Sequence, residues 1–164
     1  SSYAVSIAPK DYWELVDAVA VFSQEHKPIG SDAGHKLAHT SPLNAQRVQD
    51  APDRLQHCRE ALLRRDFARF AEVVELDSHY MHAVMRTSNP PLVYWEPSTE
   101  LLLWQVWQWR KQGHAVCATV DAGPNVHVLA LAGELEWLRK ALLELPGVKN
   151  VLVGASADGA RLAD

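Results

Sequence analysis

The sequence is short of cysteine, of long apolar runs and of positive charge. Its two cysteines, Cys58 and Cys117, lie far apart and neither belongs to a CxxC pair. That excludes a disulfide framework, carries no zinc signal and makes a reduced, cytoplasmic setting the default expectation. No apolar run approaches the roughly 20 residues needed to cross a bilayer. Positions 1–9 lack the basic-then-apolar pattern of a secretory leader. No membrane partner is therefore expected. Sixteen Lys and Arg stand against 20 Asp and Glu, a net charge of −4, so no general attraction to nucleic acid is expected either. Repeats and low-complexity linkers are missing. The chain opens on Ser1 rather than Met, which suggests a processed product or a piece of something longer.

What is present is a sequence of 164 residues, 48% hydrophobic and 22% charged, enough for one domain (1–164) with its own core. A weak alternation over 2–7 suggests a short strand, broken by Pro9. Leu15 to Phe22 suits a buried strand. A small-residue loop spans 27–35, in which Ser31 or Asp32 is placed to cap a helix over 33–39. Thr40-Ser41-Pro42 opens a helix with Val48, Leu55, Cys58, Leu62 and Leu63 at apolar spacing, bent or broken early by Pro52. Asp66 caps a second helix from Phe67 to about Thr87, and so short a link makes the two antiparallel. Ser88-Asn89-Pro90-Pro91 ends it in an extended loop, and Leu92 to Trp95 either lines a cleft or seals the core.

Pro97-Ser98-Thr99 starts a third long helix, to Gln112, with Gly113 as its stop. Its Trp104, Trp107 and Trp109 are too many for one narrow stripe, so at least one should be exposed or packed on another copy, and a homodimer is one partner considered. The runs 114–118 and 125–131 read as a strand pair. A helix over 133–145, with Leu135, Leu138, Leu142 and Leu143 inward, and a strand over 148–153 complete the order. Strand, helices, strand, strand, helix, strand implies an α+β fold. The expected form is a ferredoxin-like split β-α-β antiparallel sheet, with helices on one face.

Two groups invite a chemical reading. Asp121 stands where a strand gives way to Ala122-Gly123-Pro124-Asn125. Glycine permits φ > 0 and proline fixes its own φ, so a rigid turn can hold one carboxylate in place for catalysis. The competing reading is a turn residue that bonds nearby amides. His79 and His82 lie one helical turn apart with Asp77 nearby, but no HExxH pattern accompanies them and no metal site is assigned. Met81 and Met85 read as core.

Several segments recur together and in order: 27–34, Thr40-Ser41-Pro42, Arg65-Asp66-Phe67, 77–85 with Met81-His82-Ala83, Ser88-Asn89-Pro90-Pro91, and Asp121-Ala122-Gly123-Pro124-Asn125-Val126. This set resembles the C-terminal domain of diphosphomevalonate decarboxylases, of the GHMP kinase superfamily, over nearly the whole chain. The resemblance implies an ATP- and Mg²⁺-dependent carboxy-lyase of isoprenoid biosynthesis. Such enzymes phosphorylate the tertiary hydroxyl of a mevalonate phosphate, then lose phosphate and carbon dioxide to give an isopentenyl phosphate. It implies that Asp121 faces that hydroxyl as base and that Ser31 contacts the substrate's phosphate end, with Asp32 and Gly34 beside it.

The chain departs from the family pattern in two places. The superfamily's Gly/Ser-rich ATP loop, of type PxxxGLGSSA, is not in these residues. The resemblance therefore leaves ATP and Mg²⁺ mainly to an N-terminal domain outside this chain, on the same or a separate polypeptide, and implies that the chain alone is inactive. Asp32 stands where relatives that use the 5-diphosphate commonly carry Arg, and it would repel a diphosphate that Arg would pair with. A 5-monophosphate needs one fewer cation, and a protonated His35, where Met is common, compensates in part. The alternatives are a kinase that phosphorylates the 3-hydroxyl and stops, or a non-catalytic interaction domain.

Overall fold

The structure is a computed structural model that describes residues 5–23 and 30–159. Four strands form one antiparallel sheet: β1 (Leu15–Val21), β2 (Val116–Val120), β3 (Val126–Leu131) and β4 (Asn150–Ala155). Their order is β2-β3-β1-β4. β3 runs antiparallel between β2 and β1, and β1 runs antiparallel between β3 and β4. Each β-α-β crossover is thus split by a strand of the other, which is the ferredoxin-like arrangement expected from the element order. The first crossover carries α1 (Ser31–Ala38), α2 (Asn44–Gln49), α3 (Ala51–Arg64), α4 (Phe67–Arg86) and α5 (Pro97–Lys111). The second carries a single 3-10 turn, Ala132–Glu134, and α6 (Leu135–Leu143).

Period-two patterning builds the main core. Val16, Ala18, Ala20, Val116, Ala118, Val120, Val126, Val128 and Ala130 all face the same way. They bury against Leu102, Val106 and Trp109 of α5 and Leu138 and Leu142 of α6. The antiparallel pair α3 and α4 sits past the β2 edge and reaches the opposite face. There Cys117, with Leu15 and Leu129, meets Ala61, Phe70, Ala71 and Trp13. Beyond that corner the opposite face keeps Asp17, Val19, Thr119 and His127 only partly buried. α5 and α6 occupy one face as expected; α3 and α4 guard an edge and one corner.

Several boundaries move. The helix expected from Pro42 divides at Asp50, with Pro52 in the first turn of α3. The missing amide of proline costs nothing at that position. Asp66 caps α4, its carboxylate accepting from Arg69 N–H at 3.1 Å. Glu96 and Thr99 form a reciprocal capping box that starts α5 at Pro97. Residues 5–7 form no strand, and the rest of the expected 2–7 strand lies outside the described residues, as do 27–29 of the small-residue loop. Leu143, expected inward, is exposed, as are Val48, Leu55 and Leu63 of the apolar spacing in the helix expected from Pro42. α2 and α3 pack chiefly on each other and on α4 rather than over the sheet, so only one side of each finds a partner. Trp109 is buried while Trp104 and Trp107 are exposed, as the crowding of rings on α5 required.

Candidate active site

Strand β2 is the element around which the site is built. Its inner edge pairs with β3. Its outer edge is an open row of amides and carbonyls, and such an edge needs partners. Side chains supply them. Arg110 of α5 donates to Val116 C=O at 3.1 Å. Glu75 of α4 accepts from Ala118 N–H at 3.2 Å and holds Arg110 by two bonds of 2.6 Å. Ser78 Oγ accepts from Val120 N–H at 3.1 Å. His82 Nε2 lies 2.9 Å from Val120 C=O; a carbonyl can only accept, so Nε2 carries the proton. Glu75, Ser78 and His82 fall at i, i+3 and i+7, one face of α4. Burial pushes the His82 imidazole below its ordinary pKa, which keeps the ring neutral.

Asp121 is the next residue along the chain and is exposed. The strand before it is shifted two residues from the expected 114–118 and runs through Thr119 and Val120. The turn after it is pinned rather than merely stiff. Buried Thr99 donates to Pro124 C=O at 2.9 Å. Asn125 Oδ1 accepts from Phe22 and Ser23 N–H at 2.9 and 3.2 Å, and its amide donates to Ser23 C=O at 3.1 Å. The expected use of a positive φ is not made: the glycines in that region among the described residues are Gly113 and Gly147. Tertiary hydrogen bonds, not glycine conformation, fix this turn.

Ser31 meets Asp121 across a cleft of about 510 Å³. α1 contributes Ser31, Gly34 and His35, with Gly30 before it; Met81 and Met85 of α4, Tyr94, Asp121 and Ala122 complete the wall. Ser31 lies at the start of the first crossover and Asp121 just past its end, so the fold brings them together. Asp32 is exposed in the first turn of α1 and lies outside the cleft lining. Neither Ser31 nor Asp32 is the helix cap that the sequence suggests. The cap position is Gly30 and makes no side-chain bond. The first-turn amides of α1 and the Ser31 hydroxyl therefore lack intrahelical acceptors, the arrangement that receives anions. Gly34 sits close under two cleft side chains: a Cβ there would meet Tyr94 Oη at 2.5 Å and Met85 Sδ at 3.2 Å, so both would have to shift. Tyr94 Oη is buried without a hydrogen bond.

Among the described residues the Asp121 carboxylate makes neither an ion pair nor a hydrogen bond. Other acids are engaged. Asp77 holds Arg47 at 3.1 Å and Arg54 at 2.9 Å. Asp17 takes His127 Nδ1 at 2.8 Å. His79 Nδ1 bonds its own helix at Glu75 C=O. Asp77, His79 and His82 thus serve three separate purposes. Sequence reasoning misses the pairing of α4 with β2. Its signal is there, since Glu75, Ser78 and His82 form a polar stripe on an otherwise half-apolar helix. Met81 and Met85 pack in one core cluster with Val84 and Leu92, as expected, and with Tyr94 they also line the cleft.

A family profile described as the mevalonate 5-diphosphate decarboxylase C-terminal domain matches residues 18–153. The diphosphomevalonate decarboxylase of Candida albicans is 35% identical over 127 residues, 76% of this chain and 35% of that protein. The solved mevalonate pyrophosphate decarboxylase of Streptococcus pyogenes superposes with a TM-score of 0.83 at 29% identity, over 94% of this chain and 48% of that one. A structure described as MDDEF in complex with MVAPP, AMPPCP and magnesium gives a TM-score of 0.80 at 29% identity, over 91% of this chain and 47% of that one. The chain thus spans about a third of the length of that curated relative and about half of the solved chains.

Proposed function

Because this chain belongs to the mevalonate 5-diphosphate decarboxylase C-terminal domain family, we propose that it is the substrate-facing half of an ATP-dependent decarboxylase of phosphorylated mevalonate. The observation that carries the reading is the meeting, on one cleft, of an unengaged carboxylate and an anion-receiving helix start. Asp121 accepts the proton of the tertiary hydroxyl, or orients it, as that oxygen becomes the nucleophile. Ser31 and the first amides of α1 hold the phosphate end. The Tyr94 phenol, its pKa pushed up by burial, stays protonated, and its ring forms part of the cleft wall while its Oη is buried over Gly34.

Bound by the assembled enzyme, ATP would supply the phosphoryl group that makes the tertiary oxygen a leaving group, so that loss of phosphate and of carbon dioxide, whose C–C bonding electrons form the alkene, completes the reaction. Nothing in this reading assigns ATP or Mg²⁺ to the described residues. The sequence carries no Gly/Ser-rich phosphate loop, and the described residues hold no group of three metal-ligating side chains. Those components are assigned to the N-terminal half of the enzyme, this chain's partner in the reading.

Asp121→Asn keeps the shape and removes the charge. In the assembled enzyme, kcat should fall by on the order of 10²–10⁴ with KM little changed. Unaltered kcat per folded enzyme would return Asp121 to the role of a turn residue.

One observation favours a 5-monophosphate over the 5-diphosphate: Asp32, in the first turn of α1, adds negative charge beside the phosphate end. Asp32→Arg should raise kcat/KM for the diphosphate relative to the monophosphate by about 1–3 kcal/mol. Equal use of both substrates before and after the change would remove this preference.

A further inference from the structure

The Asp121 carboxylate has no side-chain partner of its own among the described residues, yet a catalytic base must be held to within a fraction of an ångström. Its position is set through the backbone. Val120, the residue before it, has both outward polar groups seized by one helix: N–H by Ser78 Oγ at 3.1 Å and C=O by His82 Nε2 at 2.9 Å. Ser78 and His82 are both buried. A residue held at its amide and its carbonyl has lost translation along the strand and rotation about it. The Asp121 nitrogen is bonded directly to that held carbonyl carbon.

The same helix turn also builds the cleft. Met81 and Met85 line it, and His82 between them packs on Trp95 at a centroid distance of 4.7 Å and on Tyr94 at 6.1 Å. α4 thus carries the cleft wall and the clamp on one rigid element. We propose that Ser78 and His82 are positioning residues for Asp121, acting through the backbone of Val120; the proposal rests on the catalytic reading of Asp121 given above. Glu75, which holds Ala118 N–H and Arg110, anchors the strand farther back and leaves the last residue of β2 to these two.

Ser78→Ala removes the acceptor with little change of shape. His82→Leu removes the donor, whereas His82→Gln keeps an N–H that can reach the same carbonyl. On this chain alone, amide order parameters report the clamp without any assumption about catalysis. In Ser78→Ala and His82→Leu the Asp121 amide should drop from about 0.85 to below about 0.6, while Val128 and Ala18 in the sheet centre stay rigid. His82→Gln should restore it. In the enzyme assembled with its nucleotide-binding half, the two disruptive variants should lose roughly 10–10²-fold in kcat at unchanged KM, and His82→Gln should recover most of the loss.

An Asp121 amide as rigid in Ser78→Ala as in the parent would overturn the proposal, as would a His82→Gln protein indistinguishable from His82→Leu. Failure of the catalytic reading shows up separately, as an Asp121→Asn enzyme with full kcat.

Discussion

The two edges of the sheet are treated in opposite ways. At β2 the outer backbone groups are taken by Arg110, Glu75, Ser78 and His82. At β4 nothing comparable happens among the described residues: the strand pairs with β1 on one side, and all its residues but Val151 are exposed. Bare strand edges are a hazard wherever they occur, so protection alone does not explain why only β2 receives so much buried polar machinery. The difference lies in the segment that each strand leads into. β2 runs into Asp121 and the pinned turn; β4 runs into residues 156–159, none of which lines the cleft. Buried hydrogen bonds add modestly to stability when satisfied and cost much when broken. Their use at one edge therefore marks the place where position matters.

The largest effect that can break this contrast is expected at Glu75. Glu75→Ala leaves the Arg110 guanidinium and Ala118 N–H without their shared partner, and both salt-bridge side chains are mostly buried, at 24% and 20% exposure. Removing one member of such a pair strands the other. With partial solvent access the loss should be about 2–3 kcal/mol in urea unfolding. A loss below about 0.5 kcal/mol would put the β2 edge on the same footing as an ordinary surface.

A smaller effect separates His82 from His127 by the sign of their response to pH. Burial lowers the His82 pKa in the folded state. The unfolded chain then takes up a proton that the fold resists. Stability is full above the ordinary imidazole value of about 6.5 and is lost as pH falls through the lowered folded value. His127, on the middle strand β3, is raised instead, first by its bond to Asp17 and less by the nearby charge of Asp121. That pair stabilises fully below about pH 6.5 and loses its effect as pH rises through the raised value. Both of its side chains are about a third exposed, at 32% and 35%, so solvent screening limits it to about 0.2–1 kcal/mol. Unfolding curves at pH 5, 7 and 9 should show His82→Gln less sensitive to acid than the parent. Asp17→Asn should cost more at pH 5 than at pH 9. Parallel curves for parent and both variants would mean that neither ring feels its described environment.

Much of this is readable from the residues, and the unread part has a common cause. The split β-α-β order, the break at Pro52, the Asp66 cap and the crowding of tryptophans on α5 all arise from local pattern or chain connectivity. The ordered motifs single out Ser31, Gly34 and Asp121, and the structure places all three on one cleft. Asp32 belongs to the same motif and stands outside that cleft. Gly123-Pro124 accounts for little of the stiffness of the 121–125 turn, which comes from Thr99, Asn125, Ser78 and His82 reaching across long stretches of sequence. The metal-like grouping of Asp77, His79 and His82 dissolves for the same reason. What each side chain does is decided by a neighbour from another element: Arg54 for Asp77, the β2 edge for His82. Hydrogen bonds across long sequence separations leave no periodicity to read.

The smallest effect is expected at the other edge. Leu152 and Val153 of β4 are 55% and 46% exposed, and Leu152 lies across from Val19 on the sheet face that the helices leave partly open. Leu152 contributes little burial to the fold, so Leu152→Lys should change stability by no more than about 0.5 kcal/mol. Its consequence should be intermolecular. A lysine on an edge strand opposes pairing with a second strand because it brings charge that cannot be buried in the new sheet. Light scattering of concentrated protein should therefore show less association for Leu152→Lys than for the parent, whereas Thr119→Lys, on β2, should leave association unchanged because that edge is already occupied. If Leu152→Lys instead costs more than about 1 kcal/mol, the side chain is packed in solution, the β4 edge is not bare, and the contrast between the two edges fails at its weaker end. If Thr119→Lys suppresses association as strongly as Leu152→Lys, the contrast fails at the other end, because β2 would then be offering backbone groups that Glu75, Ser78 and His82 had been credited with holding.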